Sequence, residues 1–448
     1  MRLVKIKLIL LELITILGEI YNMRSFGFKN FRKFEDFPPI DLGSINILVG
    51  PNNSGKSTFI KALKLMCYNL KLRTFEQFPI YMDFRFPDSL QGFSYNVPYM
   101  NSQNDMEFSV LFAKFSMKMI LDNQTLASEA FADQLVKIKH LEYNYYKYDM
   151  RAVFSVSENT ISRYISFSVD KLKERLSNNA LTNNFLKENN GQFEIYGPAG
   201  DDCEDVISIL FDELRNEVFS ETSFDYISNF EVNVASDDII VNGQEQNDFY
   251  IKAIRQYLKL DKCTREKVCC WLSSFGICDD IRIERVDNWY VKADVHSGDL
   301  WKPLGLMGTG SRHLFTLFIN LASVLDGIND VIFFIEEPEQ NLHPALQSKL
   351  ADLLFEVYES SWIKPTMIIE THSEYLIRRL QVIVSDRVSS HNEDVSHINK
   401  EVKVYYFPED GLPYSMDFRP SGHFLRQFGT GFFDEAGKQY KTILLKSM

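Results

Sequence analysis

Cysteine is scarce in this chain, which has six cysteines among 448 residues. They form no CxxC pair, so the sequence lacks the regular framework of a small disulfide-rich domain. Four of them lie close together, but no histidine is nearby, which disfavours a zinc site at Cys263, Cys269, Cys270 and Cys278. We therefore expect reduced thiols and a cytoplasmic protein.

Basic residues are in deficit as well. The chain has 48 Lys and Arg against 61 Asp and Glu, a formal net charge of -13. This balance disfavours a broad, non-specific nucleic-acid surface. A local basic groove is compatible with it, so DNA is kept as a candidate partner.

Apolar runs long enough to span a membrane are also missing. The opening stretch, MRLVKIKLILLELITILGEI, is interrupted by Glu12 and Glu19, and no small-residue cleavage site follows it. We expect no membrane association. Because Met23 opens a new β-type run, residues 1–22 are interpreted as an N-terminal extension or an amphipathic helix. No heptad repeat is sustained, which argues against a long coiled-coil arm.

The most informative stretch is INILVGPNNSGKSTFI, which fits the pattern GxxxxGK[ST]. A β-type run precedes the loop, and an apolar stripe at helical spacing follows it, at Phe59, Ile60, Leu63, Leu65 and Met66. A plain strand, turn and helix is the alternative, but this context favours a phosphate-binding loop. The predicted nucleotide ligands are Gly50, Asn52, Asn53, Ser54, Gly55, Lys56, Ser57 and Thr58.

Two carboxylates end the apolar run VIFFIEEPE. At the end of a buried strand, Glu336 is predicted to hold Mg²⁺ together with Ser57, and Glu337 is predicted to activate water. The alternative is an acidic pair that only ends a strand and caps the next turn. We expect Glu339 to be solvated.

His372 follows a second apolar run, TMIIE. A lone histidine is usually a bystander, but its place after a buried strand, in register with the other motifs, favours a sensor of the γ-phosphate.

A fourth motif, Gly308, Thr309, Gly310 and Ser311, precedes an amphipathic helix. Amides, hydroxyls and a helix N-terminus suit an anion there, although a simple helix cap explains the same residues. We expect this segment to complete the nucleotide site of another subunit.

The remaining segments give weaker predictions. A loop is expected around Pro38 and Pro39, and antiparallel strands are expected over 106–117 and 140–157. Helices are expected over 171–190 and 205–221. The polar stretch 389–401 is interpreted as a mobile loop.

Together, FKNFRKFED…INILVGPNNSGKST, GTGSRHLFTLF, FFIEEPEQNLHP and IIETHSEYLI resemble the ATP-binding-cassette (ABC) type of ATPase head in SMC-like and RecF-like proteins. The closest resemblance is to the ATPase part of overcoming-lysogenization-defect (OLD) nucleases and related AAA-family proteins of bacterial phage-defence systems. The signature differs from LSGGQ, and Glu336 replaces the commoner Asp. Residues 373–448 contain no DxD pair, so we expect no Toprim nuclease domain.

The resemblance implies an α/β fold of the P-loop NTPase class, an ABC-type ATPase head with a β-rich plus helical inserted lobe and a small C-terminal tail module. The predicted segments are an extension (1–22), the first part of the core (23–74), the inserted lobe (75–300), the second part of the core (301–385) and the tail (386–448).

The resemblance also implies a Mg²⁺-dependent ATPase that works as a homodimer or higher homo-oligomer, with His343 near the subunit interface. Lys56, Glu337 and His372 would be the catalytic residues. A separate effector nuclease encoded nearby would be the partner. The alternatives are a RecF-like DNA clamp and an ATP-bound scaffold with negligible turnover.

Overall fold

The computed structural model describes residues 23–72, 81–84, 96, 104–113, 115–122, 135–146, 150–157, 160–168, 187–189, 192–198, 225–228, 240–241, 249–285, 290–325, 331–429 and 433–447. The strands are β1 (Met23–Phe31), β2 (Phe34–Asp41), β3 (Ile45–Val49), β4 (Tyr81–Asp83), β5 (Glu107–Phe112), β6 (Phe115–Leu121), β7 (Leu135–Tyr145), β8 (Met150–Ser157), β9 (Thr160–Ser168), β10 (Lys187–Asn189), β11 (Gln192–Pro198), β12 (Asp225–Ser228), β13 (Ile240–Val241), β14 (Asp280–Arg285), β15 (Tyr290–Ser297), β16 (Leu300–Pro303), β17 (Val331–Glu336), β18 (Thr366–Glu370), β19 (Val402–Tyr406) and β20 (Tyr414–Ser415). The helices are α1 (Lys56–Leu72), α2 (Phe249–Lys259), α3 (Lys262–Ser274), α4 (Thr309–Ser323), α5 (Pro344–Ser360), α6 (Glu374–His391), α7 (Val395–Glu401) and α8 (Glu435–Ser447).

The chain divides into two compact units, Met1–Leu42 with Ser57–Asp225 and Gly43–Lys56 with Tyr226–Met448. The division inside the phosphate-loop pattern falls after Lys56, where α1 begins. The segment boundaries expected from the resemblance stay a prediction.

The first unit contains a sheet of order β10-β11-β9-β8-β7-β6-β5-β1-β2, with β4 paired to β7. Each of the two predicted strand regions, 106–117 and 140–157, is an antiparallel hairpin, β5 with β6 and β7 with β8. The predicted helix over 171–190 is wrong at 187–189, which form β10, and its other residues lie outside the described ones. The predicted helix over 205–221 lies wholly outside them.

The expected loop around Pro38 and Pro39 is instead part of β2, so that prediction was wrong. β2 ends the sheet and pairs with β1 through an irregular register. Proline has no N–H to donate, and an edge strand is the place in a sheet where that loss is tolerated.

The second unit is built on a sheet of order β12-β17-β18-β3-β19-β20. Strands β17, β18, β3 and β19 run parallel to one another, whereas β20 pairs antiparallel with β19. β3 and β18 are buried along their whole length. A fully apolar strand is expected when both faces of a parallel sheet are covered. The predicted mixed α/β fold is confirmed, with the phosphate loop following β3.

The amphipathic helix predicted after the fourth motif is confirmed as α4, and helices α5 and α6 follow β17 and β18 along the chain. The apolar face of α4, including Leu314, Phe318 and Leu321, is buried in the core of the second unit. A smaller sheet of β13, β14, β15 and β16 belongs to the same unit.

Residues 389–401 are ordered rather than a mobile loop, so that interpretation was wrong. Helix α6 extends to His391 and is followed by Asn392 in the left-handed conformation. Asp394 then caps α7 by accepting a hydrogen bond from the Ser396 N–H at 2.9 Å. Asn and Asp at these positions end one helix and start the next, which a polar composition alone does not reveal.

Among the helices of the described ranges, none combines the length and the apolar character needed to cross a bilayer.

Candidate functional site

The strand register brings three of the sequence motifs to one edge of the sheet. Glu336 of β17 is opposite Glu370 of β18, and Glu370 is opposite Leu48 of β3. Because these strands are parallel, the residues that follow them emerge at the same edge. The phosphate loop, the paired glutamates and His372 therefore lie on three neighbouring strand ends.

The phosphate loop needs its glycines. Gly50 has φ of 151°, and a Cβ on it would lie 2.2 Å from the Phe407 carbonyl oxygen. Gly55 has φ of 107°, and Asn53 is left-handed with φ of 60°. Ser54 and Gly55 are buried, whereas Asn52 and Asn53 are exposed. A side chain at Gly50 would push this loop away from β19.

Lys56, the charged residue of the loop, is buried, with 2% of its surface exposed. Its Nζ donates to the carbonyl oxygens of Gly50 at 3.0 Å and Pro51 at 2.9 Å. Its Nζ also lies 3.7 Å from Oε1 of Glu370. Ser57 is exposed and Thr58 half-buried in the first turn of α1. The lysine thus has three oxygens around it, in the loop that is predicted to hold phosphate.

Glu370 is a site residue that the sequence reasoning missed. It is buried and is the last residue of β18, opposite Glu336. A carboxylate closing an otherwise apolar strand, in register with a predicted metal ligand, is the signal that would have found it.

The two glutamates after the apolar run differ in their surroundings. Glu336 is half-buried at the end of β17, and Glu337 is exposed. Glu337 has φ of 46°, a left-handed conformation that is uncommon for glutamate. Its N–H donates to the Glu370 carbonyl oxygen at 2.8 Å, which fixes this turn against the end of β18. Backbone strain of this kind concentrates at functional sites.

His372 lies beside Glu337, with Nε2 4.0 Å from Oε1 of the carboxylate. Burial, followed by the positive charge of Lys56, lowers the pKa of His372, while Glu337 opposes the shift. The lowered pKa favours the neutral imidazole at pH 7. A neutral ring can donate one hydrogen bond and accept another.

Glu339 is buried, with 9% of its surface exposed, so the expectation that it is solvated was wrong. The left-handed turn at Glu337 directs the chain back toward β18. Oε1 of Glu339 consequently accepts a hydrogen bond from the His372 N–H at 2.6 Å. The sequence EEPEQ does not predict a left-handed turn at Glu337.

The fourth motif begins α4, with Gly308 as its exposed N-cap residue and Ser311 half-buried. In the same chain, Gly310 lies beside the loop after β17, where an added Cβ would be 3.1 Å from the Asn341 carbonyl oxygen. The backbone of Thr309 starts the helix. His343, expected near a subunit interface, is exposed and caps α5 by accepting a weak hydrogen bond of 3.4 Å from the Ala345 N–H.

A cleft of about 480 Å³ adjoins the phosphate loop and the histidine. It is lined by Pro51, Asn52, Gln347, His372, Ser373, Glu374, Tyr375 and Phe433. One open space thus borders both the loop and His372.

The oxygen donors at this edge suit Mg²⁺ in the presence of phosphate. Across the described ranges, no group of three or more His, Cys, Asp or Glu side chains is arranged to hold a metal ion. Mg²⁺ typically binds through one or two protein oxygens, with phosphate oxygens and water completing the shell. The Ser57 hydroxyl and the Glu336 carboxylate are the donors predicted from the sequence, and that assignment stays a prediction.

Comparison with known proteins gives a family. An SMC head bound to the C-winged helix domain of ScpA is 11% identical, with a TM-score of 0.41, over 88% of this chain and 97% of that chain. The SMC head domain from Thermotoga maritima is 12% identical, with a TM-score of 0.35, over 89% of this chain and 99% of that chain. No curated protein matches the chain. The AAA ATPase domain model matches residues 23–377, which is most of the sequence, and the chain belongs to that family.

Proposed function

We propose that this protein binds and hydrolyses Mg·ATP and uses the cycle to close and reopen a head-to-head homodimer. The observation that carries the proposal is the convergence of Lys56, Glu337 and His372 on one sheet edge. Nζ of Lys56 is 3.7 Å from Glu370 at the end of β18, and the ring of His372 is 4.0 Å from Glu337. A phosphate-binding lysine, a carboxylate base and a neutral histidine suit phosphoryl transfer to water.

Each residue has a separate task in this proposal. The amides from Gly50 to Thr58 and the start of α1 hold the phosphates, and Lys56 exchanges its two carbonyl acceptors for phosphate oxygens. Ser57 and Glu336 hold Mg²⁺, which when bound neutralises charge on the β- and γ-phosphates. Glu337 orients the attacking water and accepts its proton as the bond from the γ-phosphorus to ADP breaks. His372 donates a hydrogen bond to the γ-phosphate.

The partner subunit is proposed to complete the site through its Thr309–Gly310–Ser311 segment. In its own chain this segment adjoins Asn341 of the loop after β17, so dimer closure would act on the glutamate loop. The two nucleotide states would then offer different surfaces to an effector. Guided by the OLD resemblance, we propose that the effector is a separate nuclease of an anti-phage system and that the protein acts in the cytoplasm.

The first test compares wild type, Lys56→Ala and Glu337→Gln. Calorimetry with Mg·ATP should detect binding to wild type and Glu337→Gln but not to Lys56→Ala. Steady-state phosphate release should fall about 100-fold or more in Glu337→Gln. Light scattering should show Glu337→Gln as an ATP-dependent dimer. Glu356→Gln, on α5, where the side chain is 45% exposed, is the control and should match wild type.

Wild-type turnover by Glu337→Gln would refute its role. Binding without turnover in wild type would favour the ATP-bound scaffold instead.

A second test concerns the partner. The protein is purified with the product of the neighbouring gene, with and without ATP, and nucleotide-dependent co-elution of a nuclease supports the effector role. Salt-sensitive DNA binding that strengthens with ATP, in the absence of that partner, would favour the RecF-like clamp.

A further inference from the structure

Two backbone N–H groups connect the loop after β17 with the end of β18 and the loop that follows it, and they donate in opposite directions. The Glu337 N–H donates to the Glu370 carbonyl oxygen at 2.8 Å, and the His372 N–H donates to Oε1 of Glu339 at 2.6 Å. The first bond joins two backbone groups. The second depends on the Glu339 side chain, so a single substitution at Glu339 can remove it while the backbone bond remains.

The burial of Glu339 makes this second bond unusual. Within the part of the chain that is described, its other oxygen, Oε2, is buried and has no hydrogen-bond partner. Burial raises the pKa of Glu339, which the His372 N–H and the Thr371 hydroxyl partly oppose. A buried carboxyl group with an unpaired oxygen is destabilising, and native proteins keep few such groups. A contribution to folding stability therefore does not explain why a glutamate occupies position 339.

The peptide of His372 is also fixed on its C-terminal side. The Ser373 N–H donates to Oγ1 of Thr371 at 3.0 Å, and Oγ of Ser373 caps α6 by accepting from the Leu376 N–H at 3.1 Å. On its N-terminal side, the Thr371 N–H donates to the Leu48 carbonyl oxygen at 3.2 Å. Glu339 adds a restraint on the His372 N–H itself, from the loop that carries Glu337. Movement of one loop would therefore move the other.

We propose that Glu339 is a positioning residue that holds the His372 backbone, and through it the imidazole beside Glu337, in the arrangement needed for ATP hydrolysis. This inference rests on the proposed function. Glu339 need not touch nucleotide for this role. It transmits the position of the glutamate loop to the histidine.

The test uses two substitutions of similar size. Glu339→Gln keeps an oxygen that can accept the His372 N–H, and Glu339→Met does not. Asp261→Leu is the matched control, because Oδ1 of Asp261 also accepts a backbone N–H, from Thr264 at 2.9 Å, as the N-cap of α3. Each variant is checked for folding by circular dichroism. If Glu339→Met does not fold, Glu339→Asp, which withdraws the acceptor by one methylene, takes its place.

We expect kcat of Glu339→Met to fall about tenfold or more, because misplaced catalytic groups lose large factors in rate, while KM for ATP changes less than about threefold. Glu339→Gln should stay within about threefold of wild type in both. In nucleotide-free protein, the His372 amide should exchange with deuterium faster in Glu339→Met than in wild type or Glu339→Gln. Asp261→Leu should change neither kcat nor that exchange.

Equal losses in Glu339→Met and Asp261→Leu would overturn the proposal, and so would unchanged exchange at His372. Impairment of Glu339→Gln to the level of Glu339→Met would overturn it too. A wild-type protein without ATP turnover would instead defeat the proposed function, and the exchange experiment on nucleotide-free protein would still test the hold of Glu339 on His372.

Discussion

Replacing Glu370 by Gln should make the nucleotide-free protein less stable and its ATP binding tighter. The two charges of the Lys56–Glu370 pair are buried and 3.7 Å apart. With an effective dielectric constant of about 20, their attraction is ~4.5 kcal/mol. Removing one partner of a buried pair typically costs about 3–5 kcal/mol, because the other charge stays buried. Lys56 keeps its bonds to Gly50 and Pro51, so we expect a loss of ~2–3 kcal/mol in unfolding free energy.

Bound phosphate should restore part of the unfolding free energy that Glu370→Gln loses. In Glu370→Gln, Lys56 has lost its carboxylate, and phosphate oxygens would supply the missing negative charge. If bound phosphate restores about 1.4 kcal/mol, the Kd for ATP is tenfold tighter in Glu370→Gln than in wild type. The assay is urea unfolding with and without Mg·ATP, together with calorimetric binding. The stability gap between variant and wild type should narrow when ATP is present.

Glu356→Gln is the matched control, because Lys267 and Glu356 are also 3.7 Å apart but 32% and 45% exposed. Solvent screens that pair, so its loss should change stability by less than about 1 kcal/mol and leave ATP affinity unchanged. A Glu370→Gln protein as stable as wild type, with equal or weaker ATP binding, would refute the reasoning.

Three further predictions follow from single residues. Gly50→Ala should lower stability and abolish ATP binding in calorimetry, because a Cβ there meets a backbone oxygen at 2.2 Å, whereas Gly308→Ala, with open space around it, should retain binding. Burial raises the pKa of the Cys67 thiol, so a maleimide should label exposed Cys263 in native protein and reach Cys67 only after unfolding. The nuclear magnetic resonance titration of His372 in nucleotide-free protein should have its midpoint below pH 6.5. Lys56→Ala should raise that midpoint, because it removes a positive charge near the imidazole. An unchanged midpoint in Lys56→Ala would contradict the role given to Lys56 in lowering the pKa of His372.

The parts of the site that follow strand ends were predictable from sequence. Apolar runs of strand length ending in glycine, glutamate or histidine indicate the edge of a parallel sheet, and β3, β17 and β18 are neighbours there. Their order in the sheet does not follow their order in the chain, so adjacency came from the structure.

The burial of Glu339 and the pairing of Glu370 with Lys56 were not predictable in the same way. The burial of Glu339 depends on the left-handed backbone of Glu337, which is an outcome of packing against β18 rather than of local preference. The pairing of Glu370 with Lys56 depends on which strand lies beside β3. The loop predicted at Pro38 and Pro39 was wrong because it also depended on the place of a strand in the sheet. Proline excludes an interior strand but is compatible with an edge strand such as β2.

The charges of the site finally argue for coupling between ATP and Mg²⁺ binding. Glu336 and Glu370 end β17 and β18, and Glu337 and Glu339 follow in the loop after β17, at the edge where Lys56 is the proposed phosphate-binding cation. A triphosphate would add negative charge to this edge, and like charges at close range are unfavourable. ATP alone should therefore bind at least about tenfold more weakly than Mg·ATP, a difference of about 1.4 kcal/mol. Calorimetry in EDTA and in excess Mg²⁺ measures it, with ADP as a less charged comparison. Equal affinity for ATP in both buffers would mean that the carboxylates do not face the phosphates.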